Sequence, residues 1–206
     1  MSIVIKNLHP DYFDALAQLQ YDCFPHVAPE EYFNQTHFKS HYQVFPEGSF
    51  VALDGERVVG FASGLFQTLE FDQPQHSLME VTANGSYKSH DPVGHYYYAV
   101  DLGVHPDYRN LGIGRQFYDY RKALVKRHAK KGIVAGAVPI NYQSYKDQLS
   151  PESYIEKVAS REIYDATLSF QLNNGFKLIK LLHDYVENEF ANSAALIYWE
   201  NPDYKA

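Results

Sequence analysis

The stretch Val100 to Leu124, VDLGVHPDYRNLGIGRQFYDYRKAL, constrains this chain more than any other part of it. An apolar run, Tyr96-Tyr97-Tyr98-Ala99-Val100, leads into it and is broken by Asp101. A turn signal follows at His105-Pro106-Asp107, then a glycine-spaced segment, Arg109-Asn110-Leu111-Gly112-Ile113-Gly114. From there Ile113, Phe117, Arg121 and Leu124 recur at helical spacing. The pattern predicts strand, tight loop and helix, with glycines where the helix begins. The first amides of a helix have no intrahelical acceptor and sit at the positive end of its dipole, so such a loop is built for phosphate.

The rest of the chain narrows the setting. Its 206 residues suffice for one domain with a real core, and a single domain over 1–206 is the expectation. A net charge of −7 argues against a nucleic-acid partner, which needs a basic footprint. The lone cysteine, Cys23, forbids an intrachain disulfide and suits a buried small apolar group better than a nucleophile. No signal-peptide pattern opens the chain and no apolar run reaches membrane-spanning length, so no membrane partner and a cytoplasmic location are expected. His37 and His41 stand four apart, but Phe38 occupies the place where a zinc protease carries Glu, and no metal site is expected.

Element by element, Ile3–Ile5 reads as an edge strand and Asp11 to Cys23 as a helix stopped by Phe24-Pro25. A second helix starts after Pro29 with Glu30-Glu31 and ends before Pro46. Phe50–Leu53 and Val58–Ala62 form a hairpin about Asp54-Gly55, its second strand continuing towards Leu69. Glu70 to His95 reads as a long loop, of the kind that carries function. Gly132–Val138 is small and apolar throughout, which suits a strand buried on both faces beside a parallel neighbour, and Tyr96 to Val138 makes a βαβ unit. Insertions fall near 70–95 and 139–160; within the second, Asn141 to Ser150 is irregular and Ser150-Pro151-Glu152 starts a helix. A last helix runs from about Ile163 to Leu172, stopped by Asn173-Asn174-Gly175, before strands Phe176–Leu182 and Ala194–Trp199.

Three kinds of phosphate loop compete. A dinucleotide loop needs a third glycine where Phe117 stands, and a P-loop needs Gly-Lys where Gly114-Arg115 stands. Arg109-Asn110-Leu111-Gly112-Ile113-Gly114 resembles, position by position, the Arg/Gln-x-x-Gly-x-Gly/Ala loop of the GNAT acyltransferase superfamily, and Asn173-Asn174-Gly175-Phe176 is similar to that superfamily's closing Gly-Phe. More specifically, the chain resembles GNAT domains often joined to a carbon–nitrogen hydrolase (nitrilase-like) domain. The shared runs are His90-Asp91-Pro92 with Gly94, the glycine loop, Lys131–Gly136, Ser150–Tyr154, Glu162–Asp165 and Leu168–Leu172, over about the C-terminal two thirds. With the hydrolase domain lacking, the resemblance implies a stand-alone version.

The resemblance implies an α/β fold with a mixed, mostly antiparallel central sheet, a parallel strand pair splayed around the cofactor, and helices on both faces. It implies acetyl-CoA as co-substrate and an amine of a small molecule or a protein as acceptor. Backbone amides of Asn110, Leu111, Gly112, Ile113, Gly114 and Arg115 would hold the pyrophosphate, with Arg109 or Arg115 adding charge; Asn173 joins this cofactor set. Leu102, Gly103 and Val104 occupy the strand beside the pantetheine arm, where Gly103 suits a bulge or close approach and the Val104 N–H suits the thioester carbonyl. Asp101 is the first candidate base, because burial raises a carboxylate's pKa; Glu80, His90 and Asp91 are others, from a loop able to fold over the cleft. The tyrosine that usually protonates the thiolate is replaced by Gln171, leaving Tyr164 as a substitute. Two alternatives stay open: a non-catalytic acyl-CoA-binding or regulatory protein, and an interaction module such as a homodimer joined through tyrosine-rich loops.

Overall fold

A computed structural model describes residues 2–24 and 32–205. Seven strands form one sheet in the order β1-β2-β3-β4-β5-β7-β6, comprising β1 (Ile3–Asn7), β2 (Phe50–Asp54), β3 (Arg57–Gln67), β4 (Tyr96–Val104), β5 (Gly132–Ala137), β6 (Lys177–Leu182) and β7 (Ala194–Glu200). Every neighbouring pair is antiparallel except β4–β5, as the two-sided apolar run 132–138 predicts. Helices cover both faces, so β3 is buried from Val58 to Phe66 and reads as continuous rather than alternating apolar sequence.

The two faces carry separate cores. One gathers Tyr97, Phe117, Leu124, Ile133 and Leu168 under α4 (Ile113–Arg127), α5 (Pro151–Ala159) and α6 (Leu168–Asn173). The other gathers Leu16, Phe38, Tyr98, Val134 and Tyr185 under α1 (Phe13–Cys23), α2 (Gln35–Val44) and α3 (Leu78–Thr82). The strand period of two thus sends Tyr97 and Tyr98 to opposite layers.

Several element expectations shift. The predicted start of the second helix at Glu30-Glu31 lies outside the described residues; α2 itself opens at Asn34, whose side chain accepts the Thr36 and His37 amides in a capping box. The segment 70–95 is not all loop, because Ser77 and Glu80 cap each other and nucleate α3. The last helix begins at Leu168, not Ile163, because the buried Asp165 carboxylate caps it there. Asp165 Oδ1 accepts the Thr167 and Leu168 amides at 2.9 and 2.8 Å, while Oδ2 accepts the Asn141 amide and the Tyr154 hydroxyl at 2.9 and 3.0 Å.

Two irregularities in the sheet make room at its centre. Ala62 pairs with Leu102 but Gly64 with Ala99, so Ser63 faces both Val100 and Asp101 and β4 carries a bulge there. The bulge lies at Val100-Asp101, not at Gly103; Gly103 instead serves close approach, since a Cβ there would meet the Phe61 ring at 2.6 Å and Cys23 Sγ at 3.0 Å. Parallel pairing of β4 with β5 covers only Tyr96↔Gly132 to Tyr98↔Val134, although both strands run on.

Because four donors converge on one buried carboxylate, Asp165→Ala is expected to lower unfolding stability by roughly 3 kcal/mol or more, read from denaturant midpoints. A loss below about 1 kcal/mol would show that Asp165 does not hold the second insertion to α6.

Candidate active site

Where β4 and β5 part, a cavity of about 310 Å³ opens through the middle of the sheet. Its walls come from β4 (Ala99 to Leu102), β5 (Ala135 to Ala137), α4 (Tyr118, Arg121), α6 (Gln171) and, on the opposite layer, Gln20 and Tyr185. A splayed strand pair leaves backbone groups without ladder partners, so a ligand or a side chain must meet them.

Arg121 meets two. Its guanidinium donates to the Ser63 carbonyl at 2.8 Å and to the Asp101 carbonyl, the groups opposed across the bulge. It is 2% exposed, lies over the Tyr97 and Tyr118 rings at 5.8 and 5.6 Å, and its Nε has no protein partner. In sequence Arg121 counts only as one position of the apolar stripe of α4. A charged residue where the helical period calls for an apolar one was the signal that marked it.

The Asp101 side chain is half-buried on the cavity wall. Burial pushes its carboxyl up to about 6, against the opposing pull of the Arg121 guanidinium and the Gln20 amide. The buried Gln20 amide adjoins that carboxyl, but its Nε2 closes no well-formed hydrogen bond with the protein. A carboxyl that ionises at about pH 6 inside a cleft is suited to general-base work at neutral pH.

The glycine loop follows the end of β4, the strand that walls this cavity. Asn110 and Gly112 hold left-handed conformations, with φ of 64° and 80°. The first helical bond of α4 runs from the Gln116 amide to the Gly112 carbonyl, so the amides just before it are left for an anion. Gly114 packs its bare Cα on Phe170, where a Cβ would come within 3.0 Å of the ring. Arg109 is turned inward: it donates to the Val104 carbonyl at 3.2 Å and the Cys23 carbonyl at 3.3 Å, strapping the loop to β4. Leu111 and Arg115 are exposed, and Ile113 is buried. The His105 amide bonds to the Val59 carbonyl on β3 at 2.9 Å, so alternation along β4 aims the Val104 N–H the other way, at the gap.

Other candidates stand apart from the cavity. Glu80 is exposed and occupied in the α3 capping box, whose bonds hold its carboxyl below the usual range. His90 stacks on Phe45 at 4.2 Å and accepts the Phe66 amide at 3.1 Å, and Asp91 accepts the Val93 amide. Tyr164 is 71% exposed and lines a separate surface hollow with Asn173. Gln171 does face the cavity, beside the buried Tyr118 hydroxyl. Cys23 is buried, which pushes its thiol up to about 12 and leaves it inert. His41 stacks on Tyr87 at 3.6 Å, bonds the Gly85 carbonyl at 2.7 Å, and is held neutral by burial with a pKa near about 3. No cluster of three or more metal-ligating side chains occurs among the described residues, and no described helix is long and apolar enough to cross a membrane. The basic side of α4 is largely engaged: Lys126 pairs with Asp203, Arg127 with Glu47, and Lys122 donates to the Asn174 carbonyl.

Comparison with known proteins agrees with this geometry. The model of the Acetyltransferase (GNAT) family matches residues 13–146. The chain is 35% identical over 204 residues to the probable hydrolase YhcX of Bacillus subtilis, covering 98% of this chain but 39% of that protein. It is 34% identical over 207 residues to the uncharacterized N-acetyltransferase YkwB of the same organism, covering 99% and 91%. The chain therefore spans about two fifths of the length of the first relative and nine tenths of the second. Among solved structures, the loading GNATL domain of CurA from Lyngbya majuscula superposes with a TM-score of 0.84 at 16% identity, covering 98% of each chain. The GphF GNAT-like decarboxylase in complex with isobutyryl-CoA superposes at 0.81 and 18%, covering 96% and 99%. A bulged strand splayed from a parallel neighbour, an amide-lined loop at the head of a helix and this coverage together lead to one statement: the chain belongs to the GNAT acetyltransferase family.

Proposed function

We propose that the protein is an acetyl-CoA-dependent N-acetyltransferase that moves the acetyl group directly to an amine. The observation that carries this reading is the cavity where β4 leaves β5, walled by a half-buried carboxylate on the strand that leads into a loop of unpaired amides. The loop amides from Asn110 to Arg115 take the pyrophosphate, and the Arg115 guanidinium adds charge. The pantetheine arm extends along Leu102 to Val104, and the Val104 N–H polarises the thioester carbonyl. Asp101 takes a proton as nitrogen attacks, and the Tyr118 hydroxyl, on the cavity wall beside Gln171, gives one to the departing thiolate. The aromatic wall formed by Phe24, Tyr32 and Phe33 favours a small amine with an apolar body as acceptor.

A second reading rests on Arg121. A buried guanidinium with a free Nε, facing the same cavity, also suits an acyl group bearing a carboxylate, and GphF is a decarboxylase by name. Acetyl-CoA formed from malonyl-CoA in the absence of an amine would favour this reading; CoA thiol released from acetyl-CoA only when an amine is present favours the first.

Two outcomes are expected. Gly112 sits at φ 80° in open space, so Gly112→Val forces a branched residue into a strained conformation at the pyrophosphate. CoA should bind roughly tenfold more weakly or worse by titration calorimetry, while the strain lowers the thermal midpoint of the free protein by only a few degrees and leaves it folded at the assay temperature.

Asp101 must be ionised to act, so kcat/KM should fall on the acid side of about pH 6, and Asp101→Asn should lose roughly 100-fold or more in rate. The stability effect has the opposite sign. A carboxyl whose folded pKa lies above its unfolded value favours folding while protonated, and that contribution is lost as pH rises through about 6. Asp101→Asn should therefore resist unfolding at pH 7 at least as well as the parent protein while being inactive. An active variant would remove Asp101 from the reaction.

A further inference from the structure

A chain of hydrogen bonds leads from the cavity wall through Tyr185 towards the surface. Tyr185 lines the cavity, with its phenol end over Gly136: a Cβ on that glycine would lie 2.4 Å from the Tyr185 Cζ and 2.7 Å from its oxygen. This is the point where β5 has lost its pairing with β4. The Tyr185 hydroxyl lies 3.0 Å from the Tyr98 hydroxyl, which lies 2.7 Å from His76 Nε2. His76 Nδ1 lies 2.6 Å from the Pro74 carbonyl. Tyr98 is fully buried, Tyr185 is 3% exposed and His76 is half-buried at the edge of the molecule.

The direction of donation along this chain follows from its outer end. A carbonyl only accepts, so Nδ1 carries the imidazole proton, and in the neutral ring Nε2 is then an acceptor. Burial keeps His76 on the neutral side, so Tyr98 donates to it. Tyr98's hydrogen is thereby committed, and Tyr185 must donate to Tyr98. Tyr185 is left with oxygen lone pairs and no hydrogen to offer the cavity. The inner end of the chain is an acceptor, suited to an N–H and not to a carbonyl or carboxylate.

We infer that Tyr185, Tyr98 and His76 form a proton relay, with the Tyr185 oxygen as its intake for an ammonium acceptor. The inference rests on the N-acetyltransferase reading and deepens it. A primary amine of ordinary basicity arrives as R–NH3+ and must lose one proton before its lone pair exists. One N–H bond breaks as its proton passes to the Tyr185 oxygen. The Tyr185 proton moves to the Tyr98 oxygen and the Tyr98 proton to His76 Nε2. Both phenols end neutral, nitrogen is neutral and nucleophilic, and His76 is an imidazolium that passes its extra proton to water. The proton nitrogen sheds on forming the amide is the separate one that Asp101 takes. Two carboxylates bear on the ends: Glu80 beside His76 favours the imidazolium, and Asp101 near Tyr185 holds the incoming cation. Glu80, which in sequence stands as a candidate base, acts here through His76 and never reaches the acceptor.

Tyr98→Phe cuts the relay and keeps both ends. The experiment compares kcat/KM at pH 7 for a series of amines of falling basicity, with acetyl-CoA saturating, in the parent protein, Tyr98→Phe and His76→Gln. With strongly basic alkylamines both variants should lose roughly 100-fold, the scale of a positioned proton transfer. With weakly basic amines already neutral at pH 7 the loss should vanish, and with alkylamines it should shrink as pH is raised towards the amine's own pKa. The KM for acetyl-CoA should not move. His76→Gln, on the half-exposed end, guards against a folding defect in Tyr98→Phe. A loss equal for all amines, or no loss in either variant, overturns the relay while leaving the transferase reading standing. A parent protein that releases no CoA with any amine overturns both.

Discussion

The site depends on one guanidinium inside the sheet. A β-bulge followed by a splayed strand pair strips carbonyls of their ladder partners, and stranded carbonyls in a dry interior are costly. Arg121 reaches in from α4 and binds two of them, from Ser63 and from Asp101, so that the opening between β4 and β5 persists. The cost is a buried cation, offset by those carbonyls, by the faces of Tyr97 and Tyr118, and by the nearby Asp101 carboxyl. The brace that holds the cavity open is thus also what tunes its candidate base.

Around that brace the two faces of the sheet divide the work in the reaction we propose. The α4 side presents the glycine loop, Tyr118 and Gln171, which in that reading serve a phosphate-bearing donor and its leaving sulfur. The opposite side presents Gln20, Asp101 and Tyr185 behind aromatic rings, which in that reading serve a nitrogen acceptor. The bulge joins the two sides, because an extra residue in β4 turns Asp101 towards α1 while its own carbonyl still faces Arg121. A net charge of −7 does not hinder an anionic donor, because the loop offers local backbone dipoles and not a long-range field.

Much of this was legible in the residues. The glycine loop is local in sequence: its glycines, the turn before it and the helix after it lie within one run. The parallel pair was legible because Gly132 to Val138 is apolar on both faces. Asp101 was legible as a charge breaking an apolar strand. The start of α6 was missed although Asp165 caps it through the nearby Thr167 and Leu168 amides; that Asn141 and Tyr154 hold the same carboxylate in place is a contact only the fold brings about. The capped turn inside 70–95 was missed although Ser77 and Glu80 have the spacing of a capping box.

By itself the sequence determined the order of the strands and of the longer helices, the glycine loop at the head of α4 and the presence of a carboxylate in the central strand, since each rests on neighbours along the chain. The tertiary structure alone decided where β4 bulges, that Arg121 is a buried brace and not part of an apolar stripe, and that His76, Tyr98 and Tyr185 are in contact. Those depend on strand register and on segments 22 and 87 residues apart, which no local periodicity encodes. The position of the usual acid tyrosine is visible as Gln171 in the chain; that Tyr118 lies beside it is a fact of helix packing between α4 and α6.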